Sequence, residues 1–198
     1  MVILTAKERE AIIILFKDFT TFYNANSISK ILNISHVGAQ KIFKRLLEEN
    51  ILNSRLIGKS RIYKLNLNDN YVLQLVSFLL ADEANAAKRW KEEFKELFKK
   101  ERIIIIYGSV IKNYVHAHDI DIMVIMDNKD IKEVNKILKK KNEILPKKIH
   151  AIKLTQKDMV NNLKNKDQAV IDIVKNAIVL YGQEKYVELL KNTQRWLS

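Results

Sequence analysis

Residues 103–126, IIIIYGSVIKNYVHAHDIDIMVIM, are the stretch whose residue types and spacing ask for chemistry rather than folding alone. A run of Ile ending in Tyr107 predicts a buried strand, Gly108-Ser109 turns the chain, and Asp119-Ile120-Asp121 opens a second apolar strand. Residues i and i+2 of a strand project from one face, so Asp119 and Asp121 can hold one hard cation through oxygen ligands. A helix starting at Gly108-Ser109 would offer free N–H groups and the Ser109 hydroxyl as an anion site beside that cation. These are parts for handling a nucleoside triphosphate. His116 and His118, two apart in the connecting loop, lack a further Cys or His partner and read as loop residues rather than a zinc site.

Gly-Ser, a short spacer and Asp-x-Asp, each beside its strand, resemble the nucleotidyltransferase superfamily that includes DNA polymerase beta and the minimal nucleotidyltransferases. The resemblance covers roughly residues 86–190. It implies a small mixed sheet flanked by helices, phosphates held at Gly108 and Ser109, and Mg2+ bound by Asp119 and Asp121. The chain departs from the family pattern at Lys112-Asn113, in place of an Arg-Gly-type element, and at His118, in place of a Ser before the first Asp. The spacer is also about a residue shorter than is usual in the family. The larger departure concerns the third carboxylate, which active members carry on the next strand as the base. That strand is expected over residues 148–154, between Pro146 and the helix cap Thr155, and it holds no Asp or Glu. His150 is its one candidate base, because neutral imidazole accepts a proton near pH 7.

These strands need a frame. At 198 residues the chain is long enough for two small domains, and a change of pattern near residue 70 favours that reading. No apolar run approaches the ~18 residues of a membrane span, and the charged start lacks a signal peptide's layout, which predicts a cytoplasmic protein with no membrane partner. The absence of Cys excludes disulfides, thiol nucleophiles and Cys-ligated zinc. Net charge is +12, and residues 1–66 hold 11 Lys and Arg against 5 Asp and Glu, so half the excess lies in a third of the chain. Such a balance suits nucleic acid or another anion.

In that basic third, Thr5-Ala6-Lys7-Glu8 reads as a capping box for a first helix, Ser27 as the cap of a second over 28–32, and Ser35 as the cap of a third reaching about Asn50. Two short strands, 53–57 and 61–67, then pair across Gly58-Lys59-Ser60. Three helices and a basic hairpin resemble a winged helix-turn-helix over residues 1–68, which implies double-stranded DNA as partner. On that reading His36, Gln40, Lys41, Lys44 and Arg45 of the third helix face the duplex. Arg55, Lys59 and Arg61 of the hairpin reach adjacent backbone.

Residues 69–100 lack Pro and Gly and predict a helical linker, whose stripe Val72, Val76, Leu79, Trp90 and Phe94 suggests a homodimer. Residues 101–198 form the second domain, with a helix over 129–140 capped by Asp127-Asn128 and a helical stripe from Ala169 to Tyr181 that stops at Gly182. The whole is an α+β chain. It resembles archaeal-type fusions of a winged helix with a nucleotidyltransferase domain, which implies a DNA-binding regulator that binds a nucleotide. The alternatives are a working Mg2+-dependent nucleotidyltransferase, and an antitoxin-like module that binds a protein partner.

Overall fold

The computed structural model describes residues 3–194. The chain forms two compact units, Met1–Leu79 and Leu80–Ser198.

The first unit begins with α1 (Ala6–Lys17), where the Thr5 and Glu8 side chains each take the other's backbone N–H in the expected capping box. In α2 (Ala25–Leu32) the cap is Asn24, and Ser27 is its reciprocal partner three residues on. The cap therefore lies three residues before the expected Ser27, and the helix starts at Ala25 instead of Ile28. Ser35 caps α3 (His36–Glu48) by accepting the Gly38 N–H. Phe16, Ile28, Leu32, Phe43 and Leu46 of the three helices are almost wholly buried. Truncating one such aromatic costs about 3–5 kcal/mol, so this small core is sensitive to single changes.

Strands β1 (Leu52–Ile57) and β2 (Ser60–Leu65) pair antiparallel with Ile57 opposite Ser60. The two-residue turn Gly58-Lys59 places Gly at the first position, with φ +57°. A single bridge from Tyr23 to Tyr63 ties the segment before α2 to the hairpin.

The expected helical linker is two helices, α4 (Asn70–Ala86) and α5 (Lys88–Phe94), and the boundary between the units falls inside α4. Val72, Val76, Leu79, Trp90 and Phe94 are all buried in the single chain.

In the second unit β3 (Ile103–Tyr107), β4 (Ile120–Ile125), β5 (Ile149–Leu154) and β6 (Ile178–Tyr181) form a mixed sheet of order β5-β4-β3-β6, parallel only between β4 and β5. Ile104, Ile106, Ile120, Ile122 and Val124 pack with Trp90, Phe94 and with Val134 and Leu138 of α6 (Ile131–Ile144). Ile103, Ile105, Met123 and Ile125, of opposite parity, are buried as well, so both faces of the central strands are covered.

Strand β6 corrects the expected helix over 169–181. Helix α8 (Gln168–Asn176) ends earlier, and Ile178–Tyr181 pairs with β3 instead. A second correction concerns Asp127, which makes no side-chain cap and pairs with Lys129 at 3.1 Å. Two further helices, α7 (Gln156–Lys164) and α9 (Gln183–Gln194), complete the unit, and Thr155 caps α7 as expected.

Candidate functional site

The sheet brings one row of side chains together at the end of its strands. Tyr107 of β3 stands opposite Asp121 of β4, and Asp121 stands opposite His150 of β5. His150 Nδ1 lies 2.9 Å from Asp119 Oδ2 and 3.9 Å from Asp121 Oδ1. One donor atom from each of Asp119, Asp121 and His150 lies within 4.8 Å of the other two, the one group of at least three candidate His, Asp or Glu metal ligands among the described residues. The carboxylates are partly sheltered while the imidazole is 64% exposed, so the group opens to solvent on the His150 side.

Electrostatics marks Asp121 as the stressed member. Burial raises its pKa, the neighbouring Asp119 charge raises it further, and His150 acts in the opposite direction. Burial and then the charges of Asp121 and Asp119 also raise the Tyr107 phenol. A shared cation would relieve the repulsion between the carboxylates, and two carboxylate oxygens beside an imidazole nitrogen form a donor set that fits a divalent cation.

Gly108 sits at φ +81°, ψ −163°, a conformation open essentially to Gly alone. A Cβ there would collide with Asp121 Oδ2 and lie 3.2 Å from its Cγ. The bare backbone at Gly108 is therefore what lets the turn and the carboxylate stand side by side. Where a helix could have started, Ser109–Ile111 makes a single 3-10 turn. Further on, the Asn113 side chain accepts the N–H groups of Val115 and His116 and holds the chain in a loop. No helix dipole supports an anion at this turn, and what remains is the exposed backbone and the Ser109 hydroxyl. A cavity of about 400 Å³ borders the turn, lined by Tyr107, Gly108, Ser109, Lys112, Asp172 and Asn176 among others.

Sequence reasoning missed Tyr107, Asp172, Asn176 and Lys147. Lys147 donates to the carbonyl oxygens of Ala117 and Val115, and its ammonium lies 5.0 Å from the Tyr114 ring centre. Tyr107 carried a signal in its place just before Gly108. Nothing along the chain links Lys147 to the loop it holds.

In the first unit, His36, Gln40, Lys41 and Lys44 are exposed along α3, and Arg55, Lys59 and Arg61 are exposed on the hairpin. Arg45 is also paired within the unit. Its Nη1 lies 3.0 Å from both oxygens of the buried Glu8, and its Nη2 donates to Ile3 O at 2.6 Å. This guanidinium fastens α3 to α1 while its side chain stays 40% exposed.

No helix among the described residues is long and apolar enough to cross a membrane. No curated protein and no solved structure matches the chain. Residues 92–186 match the family described as Polymerase beta, Nucleotidyltransferase. With its small mixed sheet flanked by helices, the second unit therefore carries a nucleotidyltransferase-like domain.

Proposed function

We propose that the nucleotidyltransferase-like domain binds a nucleoside triphosphate together with a divalent cation, and that the first unit is a winged helix-turn-helix that docks on duplex DNA. The chain is then a DNA-binding regulator with a nucleotide site. The observation that carries the nucleotide half is the convergence of Asp119, Asp121 and His150 beside Gly108-Ser109. A cation held by Asp119 and Asp121, Mg2+ in the family this domain resembles, supplies neutralising charge at the phosphates. Gly108 leaves its backbone open to close approach, and Ser109 offers a hydroxyl donor at the same turn. Lys112 adds a positive charge at the rim of the adjoining cavity. Asp172 and Asn176 give that cavity polar atoms to meet a sugar or base, and its volume suits a small-molecule ligand.

Strand β5 carries no carboxylate, and His150 holds the place opposite Asp121. Transfer is therefore expected to be slow, and binding is favoured over turnover. A working transferase is the second reading, supported by the nearness of the His150 imidazole, a candidate base, to both aspartates.

The test is a binding titration of labelled nucleoside triphosphates with and without Mg2+. Binding that requires Mg2+ and weakens about tenfold or more in Asp119→Asn or Asp121→Asn is expected. Equal affinity without the cation would remove the metal role. For the DNA half, the exposed cations of α3 and the hairpin predict salt-sensitive gel shifts. No shift by the intact protein at low salt would sink the regulator.

A further inference from the structure

We propose that Asp119, Asp121 and His150 form a three-ligand centre that prefers a first-row transition-metal cation to Mg2+, with His150 as a nitrogen ligand through Nδ1. The proposal deepens the nucleotide-site reading and rests on it for the two carboxylates. Its new element is the imidazole.

The geometry comes first. Asp121 and His150 are neighbours across the parallel β4–β5 pair, and Nδ1 of His150 is 2.9 Å from Asp119 Oδ2 and 3.9 Å from Asp121 Oδ1. Two atoms bound to one cation at right angles, with bonds of about 2.1 Å, stand about 3 Å apart. The shorter separation is thus already the edge of a coordination sphere, and small side-chain rotations bring in the third donor. All three residues sit on or beside adjacent strands of one sheet, so their backbones are fixed and only side-chain torsions have to adjust.

The chemistry of the donors then selects the metal. Mg2+ demands a near-ideal octahedron of oxygen and gives up its waters reluctantly, so an imidazole in place of a third carboxylate removes both charge and a preferred atom type. First-row transition cations accept nitrogen beside carboxylate oxygen, with affinity rising from Mn2+ through Co2+ and Ni2+. Three protein ligands leave positions for water or for phosphate oxygens. The 64% exposure of His150 gives those ligands a way in. His116 and His118 do not belong to the group, so the nitrogen preference rests on His150 alone.

The experiment uses the full chain without nucleotide. Mn2+ binding is followed by electron paramagnetic resonance, with Mg2+ and Co2+ as competitors. Imidazole nitrogen NMR reports on the four His residues as Mn2+ is added below stoichiometry. The expected result is Mn2+ selectivity over Mg2+ that falls about tenfold or more in His150→Ala and shifts toward Mg2+ in His150→Asp, with Co2+ displacing Mn2+ from the wild type. Broadening of the His150 signals with His36 unaffected is the direct signature.

A Mn2+/Mg2+ ratio unchanged in both variants would overturn the proposal and leave the nucleotide site standing. Failure of the wild type to bind Mn2+ at millimolar concentration overturns it as well. If Mg2+-dependent nucleotide binding persists in that case, the proposal alone falls, and if it is lost too, the reading beneath falls with it.

Discussion

Gly108 stands so close beneath the Asp121 carboxylate that no side chain can be placed on it without displacing that aspartate. Its φ of +81° with ψ near −163° adds a backbone penalty for any L residue, on the order of 1–3 kcal/mol. Gly108→Ala is therefore expected to lower stability by about that amount and to push Asp121 out of reach of Asp119 and His150. Metal binding should fall more steeply than stability does. Denaturant unfolding beside a metal titration checks this, and an Ala variant that binds metal as well as the wild type would show that Asp121 tolerates the shift.

The two basic residues at the end of α3 are predicted to behave differently. Arg45 closes on Glu8, a carboxylate that is only 3% exposed, whereas Lys44 is 78% exposed and 3.9 Å from Glu48. Removing Arg45 leaves a buried charge without its partner, so Arg45→Ala should destabilise the protein by about 1–2 kcal/mol, less than a fully buried pair because Arg45 itself meets water. Lys44→Ala should leave stability within about 0.5 kcal/mol and weaken DNA binding without regard to sequence. Thermal melts and gel shifts on the two variants separate these roles.

The site was legible where order along the chain settled the geometry. Gly108-Ser109 at the end of one strand and Asp119 with Asp121 at the start of the next could be placed from period and turn chemistry, and His150 from the strand that follows. Strand β6 was not legible because Ile178–Tyr181 continues the apolar spacing of α8, and a short apolar run does not by itself tell helix from strand. Tertiary pairing with β3 decided it. Arg45 reads as outward from the spacing of α3, and nothing near it along the chain shows that it also pairs with Glu8, 37 residues earlier. At Ser109 the chain makes one 3-10 turn, and the Asn113 side chain accepts the N–H groups of Val115 and His116 that follow, a capture the spacing does not reveal.

Acid should loosen the second unit through one ion cluster. Arg102 is wholly buried, with Nη2 2.6 Å from Glu133 Oε2 and 3.3 Å from Asp130 Oδ1. A hydrogen bond from Arg102 is the main cause holding Asp130 below the usual carboxylate range. For Glu133 the main cause is Lys99, followed by Arg102. Both groups are depressed in the folded state, so their contribution is complete above their unfolded values of about 4 and is lost as pH falls through the lower folded values. Urea unfolding between pH 6 and pH 2.5 should show stability falling below about pH 4. The Asp130→Asn/Glu133→Gln variant should start less stable and give a flatter profile, and an identical slope would place the acid sensitivity elsewhere.

Lys147 is expected to matter for metal binding without touching the metal. Its ammonium holds the carbonyls of Val115 and Ala117, in the loop just ahead of Asp119, and it shares the Tyr114 ring with Arg89, whose guanidinium carbon is 3.7 Å from the ring centre. Ala117 is buried, so losing the donor leaves its carbonyl without that partner, at a cost of about 1–3 kcal/mol. Lys147→Met keeps the aliphatic stem and removes the donor. The loop should then open more often, and Asp119, at its end, should lose its fixed distance to His150. The expected outcome is faster amide exchange over residues 115–118 and several-fold weaker metal binding, both largely restored in Lys147→Arg. Unchanged exchange with unchanged metal affinity would mean that β4, and not Lys147, sets the position of Asp119.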